Sequence, residues 1–369
     1  MNPYSTSKSA WHPDRIEAMR RGDQAAPVEL QLILSDLCNH DCHWCAYRAS
    51  DGLSSEGFGG VDRHGQPTHN PNRMIPTLKA MEIIDDAKAI GVKSVIFTGG
   101  GEPTVHPDHL MLFGYALNLG LEASLNTNGN LLRDGWENVL PRMTYIRFSV
   151  DAANATEHSE TRRIGLSAYP TVLYNLTHLC AEVKRQNSPC VVGTGYVVTP
   201  DGYVNVAEGV RRIRDTGAAY VRLASLQSTK GMSIYPEIEK VRETLTAAKA
   251  ELETPDFQVV NLFDAAFGKR MPDPFCGFEQ IVTYVGASLK VYRCCYVAYT
   301  PLGECGDLSN MRLTEWFESE EKRKSFDTFD ARSCNVCPLY QKNEEITRLV
   351  RADSFEAPTG TAPMHVNFP

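Results

Sequence analysis

The stretch that decides the fold is Leu34-Ser-Asp-Leu-Cys38-Asn-His-Asp-Cys42-His-Trp-Cys45, which follows the strand-like run 28–34. Its three cysteines are spaced CxxxCxxC. Three thiolates on a short loop can hold three irons of a [4Fe–4S] cluster and leave the fourth iron open to a substrate or cofactor. A zinc site with a fourth protein ligand is the alternative, and His40 and His43 are available for it.

The composition carries no membrane or nucleic-acid signature. The 369 residues, 42% of them hydrophobic, suffice for one large domain and a smaller one. The net charge is −8 and no basic run stands out, which argues against a broad nucleic-acid-binding face. Residues 1–21 contain no apolar core of signal-peptide length, and no apolar run is long enough to span a membrane. We therefore expect a cytoplasmic protein.

The eleven cysteines are clustered. Three lie in 38–45, six lie in 276–337, and only Cys180 and Cys190 fall between these groups. Such clustering in a chain without a signal peptide favours metal binding over disulfides.

From Val28 onward, apolar strands alternate with amphipathic helices six times. Six units are too few for an eight-fold barrel, so we predict an α/β fold with an open, partial (β/α)6 TIM-like barrel. The predicted strands are 28–35, 93–98, 121–126, 144–150, 190–198 and 219–225, and the predicted helices include 77–90, 108–119, 168–186 and 204–216. Active sites of such sheets lie at the carboxyl ends of the strands. Those ends carry Cys38, Gly99–Glu102, Asn126–Asn128 and Ser149–Asp151.

The remaining segments suggest a division of the chain. We predict an N-terminal arm (1–27, with a helix over 13–21), the barrel (28–230), a connecting helix and strand (231–272), a small α+β domain (273–345) and a C-terminal tail (346–369). An insertion over 46–76 leaves directly from the cysteine loop and is either a lid or a surface loop without a role. Prolines and few apolar groups in 353–369 indicate a mobile tail.

A second stretch, Phe97-Thr-Gly-Gly-Gly-Glu102-Pro103, joins a predicted strand to a helix. Glycines there allow close approach of a ligand to the backbone. The stretch lacks the lysine of a P-loop, and Glu102 would repel a phosphate, so the turn suits a ligand that carries an ammonium group.

Together, the cysteine motif after the first strand and Gly100-Gly-Glu-Pro103 after the second resemble the radical S-adenosylmethionine (SAM) superfamily over residues 28–225. Trp44 fits the family's pattern, and 126–129 and 149–151 stand where that family has similar residues. The resemblance implies that Cys38, Cys42 and Cys45 hold a [4Fe–4S] cluster whose open iron is chelated by the amino and carboxylate groups of SAM.

The resemblance also implies roles for the strand-end residues. The backbone of Gly99–Gly101 would bind the amino group of SAM, and Glu102 would shape the turn. Ser149 would reach the ribose or the methionine carboxylate, with which Arg162 or Arg163 would pair. Trp44 and the last strand, 221–224, would lie near the adenine. The cofactor-binding candidates are thus Trp44, Gly99, Gly100, Gly101, Glu102, Asn126, Ser149, Asp151, Arg162 and Arg163.

The implied activity is that of an oxidoreductase or isomerase. An electron from the reduced cluster, supplied by a flavodoxin- or ferredoxin-type donor, would cleave SAM to methionine and a 5′-deoxyadenosyl radical. That radical would take a hydrogen atom from a carbon of the substrate.

The C-terminal cysteines suggest a second site. Cys276 and Cys294 flank a predicted hairpin (281–285 and 289–292), and Cys334 and Cys337 follow a predicted helix (313–323). Structural zinc is one interpretation. The order also resembles the SPASM/twitch extension, in which four cysteines hold an auxiliary [4Fe–4S] cluster, and the lack of cysteines beyond Cys337 favours the single-cluster, twitch-like form.

Cys295 and Cys305 are left over from this set of ligands. Either could replace Cys294, donate a hydrogen atom to a substrate radical, or be a buried small apolar residue. Cys305 is the candidate catalytic donor.

The expected substrate is a small metabolite such as a carbohydrate, cyclitol, nucleoside or nucleotide, which would be oxidised, epimerised or rearranged. About 27 residues precede the first strand, fewer than the roughly 40 that a separate leader-binding domain needs. A ribosomal peptide or protein substrate is the alternative, and a non-catalytic zinc-binding module is the remote one. His64 and His69 in the insertion are further candidates for substrate contact.

Overall fold

The computed structural model describes residues 3–61 and 64–369, which form strands β1–β12 and helices α1–α11. The strands are β1 Glu29–Leu32, β2 Gly60–Val61, β3 Pro67–Thr68, β4 Ser94–Phe97, β5 Glu122–Thr127, β6 Tyr145–Ser149, β7 Val191–Val198, β8 Tyr220–Ser225, β9 Gln258–Asn261, β10 Val282–Val285, β11 Lys290–Tyr292 and β12 Glu304–Asp307. The helices are α1 Pro13–Arg21, α2 Thr77–Ile90, α3 His109–Asn118, α4 Ala155–Arg162, α5 Ala168–Arg185, α6 Val206–Arg214, α7 Ile238–Leu252, α8 Gly277–Ile281, α9 Leu313–Glu318, α10 Glu320–Thr328 and α11 Tyr340–Arg351.

Ten strands form one sheet in the order β12-β11-β10-β1-β4-β5-β6-β7-β8-β9. The strands β1, β4, β5, β6, β7 and β8 are parallel neighbours in chain order, as the sequence predicted for a partial barrel. At one edge β9 adds a further parallel strand, and at the other β10 pairs in parallel with β1. Since different strands cap the two edges, the barrel is open.

Helix α2 shows why the sequence located the barrel helices well. Pro76 precedes its first residue, and Gly91 ends it with a φ of 99°, a left-handed conformation that favours glycine. Its buried residues recur at helical spacing and face the sheet. The observed bounds equal the predicted 77–90.

Three local predictions differ from the structure. Helix α4 was not predicted, because its short, charged sequence has few apolar positions. The predicted helix 313–323 is two helices, since the Ser319 side chain accepts from the Lys322 N–H and starts a new helix there. Helix α11 crosses the predicted boundary between the small domain, which ends at residue 345, and the tail, which begins at residue 346.

The last residues of the predicted mobile tail, 353–369, pack against the barrel. Phe368 is only 4% exposed and its ring lies 5.1 Å from that of Tyr145. Asn367 donates to the Glu122 carboxylate (2.6 Å), and its carbonyl accepts from the Ser94 hydroxyl. The segment is held because it covers the amino ends of β4, β5 and β6. No helix in the described part of the chain is both long and apolar enough to cross a membrane.

Candidate active site

The three cysteines of the first motif lie on the loop after β1. The His40 N–H donates to Cys38 Sγ (3.4 Å), Asn128 Nδ2 donates to the same sulfur (3.9 Å), and Arg48 Nη1 donates to Cys45 Sγ (3.5 Å). Burial raises the pKa of Cys38 to about 11 and that of Cys42 to about 12. Because burial favours the protonated thiols, the ionised thiolates need a metal cation beside them to be stable in this loop. The hydrogen-bond donors directed at the sulfur atoms are of the kind that iron–sulfur clusters accept.

The histidines that could have completed a zinc site are engaged elsewhere. His40 Nδ1 lies 3.1 Å from Arg162 Nη1, and its Nε2 is hydrogen-bonded to Asn130 Oδ1. His43 Nδ1 lies 3.1 Å from the Thr161 carbonyl oxygen. Across residues 3–61 and 64–369, no three His, Cys, Asp or Glu side chains are arranged to hold a single metal ion. The loop fits a cluster held by three thiolates better than a mononuclear zinc.

The glycine turn lies against the cysteine loop. The Gly101 N–H donates to the Ser35 carbonyl (2.9 Å) and the Glu102 N–H to the Leu37 carbonyl (3.0 Å). A Cβ on Gly101 would lie 2.2 Å from Leu37 O, and one on Gly100 would lie 2.6 Å from the Asp36 carboxylate. Only glycine allows the two loops to approach this closely.

Glu102 joins the ends of β4 and β5. It is 3% exposed, and its carboxylate accepts hydrogen bonds from Thr104 N (3.1 Å), Thr104 Oγ1 (2.7 Å), Thr127 Oγ1 (2.7 Å) and Asn128 N (2.7 Å). The position agrees with the predicted role of shaping the turn.

The predicted arginines lie in different environments. Arg162 is buried, forms a salt bridge with Asp151, donates to the Ser149 carbonyl (2.9 Å) and lies 5.9 Å from the Trp44 ring. Asp151 also accepts from the Val197 N–H (2.7 Å). Arg163 is exposed and pairs with Asp41 (3.4 Å). The structure thus gives Arg162 the site-facing position.

Two neighbouring cavities lie beside these loops. The central cavity, of about 360 Å³, is lined by residues of β1, β4, β5, β6 and β8 and reaches Gly99 and Asn126 at the carboxyl ends. The side cavity, of about 270 Å³, brings Trp44 together with Ala224 of β8. Both include Ala46, Arg222 and Tyr296. Asn126 Oδ1 and Trp44 Nε1 are buried with no hydrogen-bond partner in the described structure, so both are available to a ligand.

The insertion folds over the cysteine loop. Asn70 Oδ1 accepts from the Cys38 N–H (3.2 Å), and Ser54 donates to the Cys295 carbonyl (2.8 Å). Phe58 is fully buried beside the Tyr299 ring (4.9 Å) and beneath the Arg48 guanidinium (5.1 Å). Of the two predicted possibilities, this position is the one expected of a lid. His69 contacts Asp41 (3.0 Å).

The four C-terminal cysteines come together. Cys276, Cys294, Cys334 and Cys337 line one small cavity together with Asn343. Asn343 Nδ2 donates to Cys276 Sγ (3.5 Å) and to Cys337 Sγ (3.6 Å). The shared cavity and the donor directed at two sulfurs suit a cluster held by four thiolates, whereas in the described structure these four cysteines, like the first three, are not arranged to hold a single metal ion.

The two leftover cysteines separate. Cys295 lines the central cavity. Cys305 is 6% exposed in β12, its thiol donates to the Val291 carbonyl (3.4 Å), and it does not line the central cavity. The sequence singled out Cys305 as the candidate hydrogen-atom donor. In the structure, Cys295 rather than Cys305 lines the central cavity.

Sequence reasoning missed four residues of these sites. Arg48 and Asn343 contact cysteine sulfur, and Arg147 and Arg222 face the central cavity. A cation on an otherwise apolar buried strand was a signal for the last two, since such a residue costs free energy unless a partner is nearby. Nothing in the sequence pattern marked Arg48 or Asn343.

Comparison with protein families decides the identity of the barrel. Residues 32–208 match the family model described as the radical SAM superfamily. Residues 32–208 form a radical SAM domain. Radical SAM enzymes bind SAM and a [4Fe–4S] cluster, which accords with the motif at Cys38, Cys42 and Cys45.

One curated relative is the S-adenosylmethionine-dependent nucleotide dehydratase of Selenomonas ruminantium. It is 27% identical over 131 residues, which cover 34% of this chain and 40% of that protein. The match thus spans about two fifths of the relative's length.

Solved structures of radical SAM enzymes share the fold. Streptococcus suis SuiB bound to its precursor peptide SuiA has a TM-score of 0.62 at 15% identity, covering 92% of this chain and 76% of that one. The enzyme anSMEcpe with bound AdoMet and Kp18Cys peptide has a TM-score of 0.56 at 16% identity, covering 89% and 92%. At these identities the likeness concerns the fold.

Proposed function

We propose that the chain carries two [4Fe–4S] clusters and, after reductive cleavage of SAM, removes a hydrogen atom from a carbon of a small metabolite. The observation that carries the proposal is the meeting of Cys276, Cys294, Cys334 and Cys337 at one cavity, next to a central cavity that reaches the glycine turn. Both cavities include Tyr296, so an auxiliary cluster would lie beside the substrate. Net oxidation follows if that cluster accepts the electron of the substrate radical.

The chain's own residues would bind SAM and orient it for the reaction. When bound, the first cluster and SAM supply a group that abstracts hydrogen from unactivated carbon. Gly99–Gly101 offers backbone groups to the ammonium of SAM, and Asn126 and Trp44 offer buried polar atoms. Arg162 and Asp151 hold the end of β6, so that Ser149 keeps its position at the strand end. The insertion covers the cysteine loop and would exclude water from it.

The substrate class rests on the size of the central cavity. About 360 Å³ is at the low end of the range for small-molecule sites. A carbohydrate, cyclitol, nucleoside or nucleotide is thus favoured. A peptide is the second candidate, because SuiB and anSMEcpe, which have the same fold, are solved with bound peptides. A flavodoxin- or ferredoxin-type protein is the proposed electron donor.

Iron content and SAM cleavage test the proposal. Anaerobically reconstituted protein should contain about eight irons per chain. The substitution Cys38→Ala should abolish cleavage of SAM by dithionite-reduced protein, whereas Cys180→Ala, on helix α5 away from both cysteine groups, should retain it. Deuterium transfer from labelled sugars, nucleosides or peptides into 5′-deoxyadenosine then identifies the substrate. Zinc in place of iron, or SAM cleavage that survives Cys38→Ala, would overturn the proposal.

The fate of the substrate radical depends on a thiol. If Cys295 donates a hydrogen atom, the product is an epimer and takes up solvent deuterium. In that case Cys295→Ala removes the label from the product, while Cys305→Ala does not, because the Cys305 thiol lies outside the central cavity. Equal labelling in both variants would exclude Cys295 as the donor.

A further inference from the structure

Two arginines on barrel strands line the central cavity. The strand between them carries glycines at the positions that pair with these arginines. Arg147 lies on β6 and Arg222 on β8, and both line the cavity. Between them, β7 presents Gly193 and Gly195, which pair with Arg147 and Arg222 respectively. A Cβ on Gly195 would lie 3.7 Å from Cδ of Arg147, and one on Gly193 would lie 2.2 Å from the Tyr220 ring. Glycine in a strand interior here leaves room for the long side chains of the neighbouring strands.

The charges that line this cavity are unequal. Four basic side chains and one acidic side chain border it: Lys8, Arg147, Arg222, Lys342 and Glu29. Lys8 donates to the Phe368 carbonyl (2.7 Å) and Lys342 to the Pro369 carbonyl (2.7 Å), so the tail holds both lysines. Glu29 accepts from Gln31 (2.6 Å).

The two arginines interact with negative charge only at longer range, Arg147 with the Glu29 carboxylate and Arg222 with the Asp151 carboxylate. Within residues 3–61 and 64–369, neither forms a salt bridge with a carboxylate. Arg147 donates to the Tyr4 hydroxyl (3.5 Å), and the Arg222 guanidinium lies 5.8 Å from the Tyr4 ring, with its Nε buried and unpartnered. Cations inside a protein cost free energy unless an anion or hydrogen-bond acceptors accompany them. A ligand that brings the missing negative charge fits this cavity.

We infer that the substrate carries an anionic group, phosphate or carboxylate, which Arg147 and Arg222 bind inside the barrel while the rest of the molecule extends toward Gly99. The inference rests on the proposed function and adds the charge of the substrate to it. Guanidinium groups bind oxyanions in bidentate geometry, which would fix the orientation of the reacting carbon as well as provide affinity. A neutral sugar or cyclitol would leave the two cations without an anionic partner in direct contact.

Direct binding of simple anions tests the inference. Inorganic phosphate and succinate are titrated by calorimetry into reconstituted holoenzyme that is saturated with SAM. We expect at least one of them to bind, and the one that binds more tightly identifies the anion type. Arg147→Gln and Arg222→Gln should each weaken this binding at least tenfold, Arg222→Lys should restore part of it, and Arg133→Gln should leave it unchanged, since Arg133 is exposed on another loop.

Three outcomes would overturn the inference. The first is that neither anion binds to correctly folded holoenzyme, with folding checked by circular dichroism. The second is that binding is equal in the wild type and both glutamine variants. The third is that the glutamine variants lose SAM affinity, which would assign the arginines to the cofactor's carboxylate. Protein that contains iron and cleaves SAM but binds neither anion would refute the inference alone. Iron-free protein that binds phosphate through these arginines would refute the proposed function alone.

Discussion

At the residue scale, Asn343 links the second group of cysteines to helix α11. Its Nδ2 donates to two sulfurs, and its Oδ1 accepts from the Phe278 N–H (2.8 Å). Asn343→Asp keeps the acceptor and removes the donors to sulfur. A hydrogen bond to a charged group contributes about 1.5 kcal/mol, and a tenfold change in a one-electron equilibrium is 59 mV. Because the substitution removes two such bonds and adds a negative charge, we expect the reduction potential of the auxiliary cluster to fall by at least roughly 60 mV.

Potentiometric titration followed by electron paramagnetic resonance measures this change. Asn138→Asp introduces the same charge at an exposed position and serves as the control. An unchanged potential in Asn343→Asp would mean that these contacts to sulfur do not exist in the holoenzyme.

His158 makes the stability of the protein depend on pH. It is fully buried, its ring nitrogens have no partner in the described structure, and burial, Arg162 and His40 lower its pKa to about 3. The unfolded chain takes up a proton near pH 6.5 and the folded one does not, so this residue reduces stability as the pH falls from about 6.5 to about 3. Between pH 7.5 and 5.5 the loss from His158 is about 1.4 kcal/mol.

The variant His158→Phe should lose less stability over that pH interval than the wild type. Urea unfolding at both pH values measures the free energy of unfolding, and exposed His178→Phe is the control. The same pH dependence in His158→Phe and the wild type would show that His158 is not held neutral.

At the element scale, the insertion depends on one aromatic side chain. Phe58 lies among Arg48, Arg73, Tyr47 and Tyr299, with nothing of its own side chain exposed. Phe58→Ala leaves a cavity and lowers the free energy of unfolding by about 3–5 kcal/mol. The destabilisation should be concentrated in the insertion, which covers the cysteine loop. We expect faster amide hydrogen exchange in the described parts of 46–76 and weaker SAM binding.

The exposed Val61 of the same insertion gives the control Val61→Ala, which should change neither exchange nor SAM affinity. Exchange that increases across the whole barrel in Phe58→Ala would mean that Phe58 supports the core rather than a lid.

The elements differ in how far the sequence could predict them. The barrel strands and α2 follow from local apolar periodicity and from Pro76 and Gly91, because their burial is one-sided and regular. The order of cysteines and glycines identified the first site for the same local reason. Local pattern does not contain the contact between Asn343 and two cysteines distant from one another, or the placement of 365–369 against the amino ends of the barrel. Such contacts depend on how distant segments meet, so the sequence of the Pro-rich tail did not reveal that its last residues pack against the barrel.

At the scale of the whole molecule, the cysteine-bearing hairpin is joined to the barrel by a continuous sheet. Strand β10 pairs with β1 over four residue pairs, from Glu29↔Val282 to Leu32↔Val285. Arg312 and Asp86 form a salt bridge between α9 and α2, and the Asp86 carboxylate also accepts from the Leu313 N–H (3.0 Å). The two cysteine sites therefore share one framework.

We expect this framework to unfold as one cooperative unit, because β1 cannot lose its pairing with β10 without exposing the core beneath both strands. Hydrogen exchange followed by mass spectrometry across a urea series should give one midpoint for peptides from β1, β5 and β10. The variant Asp86→Asn weakens the contact between α2 and α9 and should shift all three midpoints together to lower urea. A lower midpoint for β10 alone would show that the C-terminal segment folds independently, and the distance between the two cysteine sites would then not be fixed by the sheet.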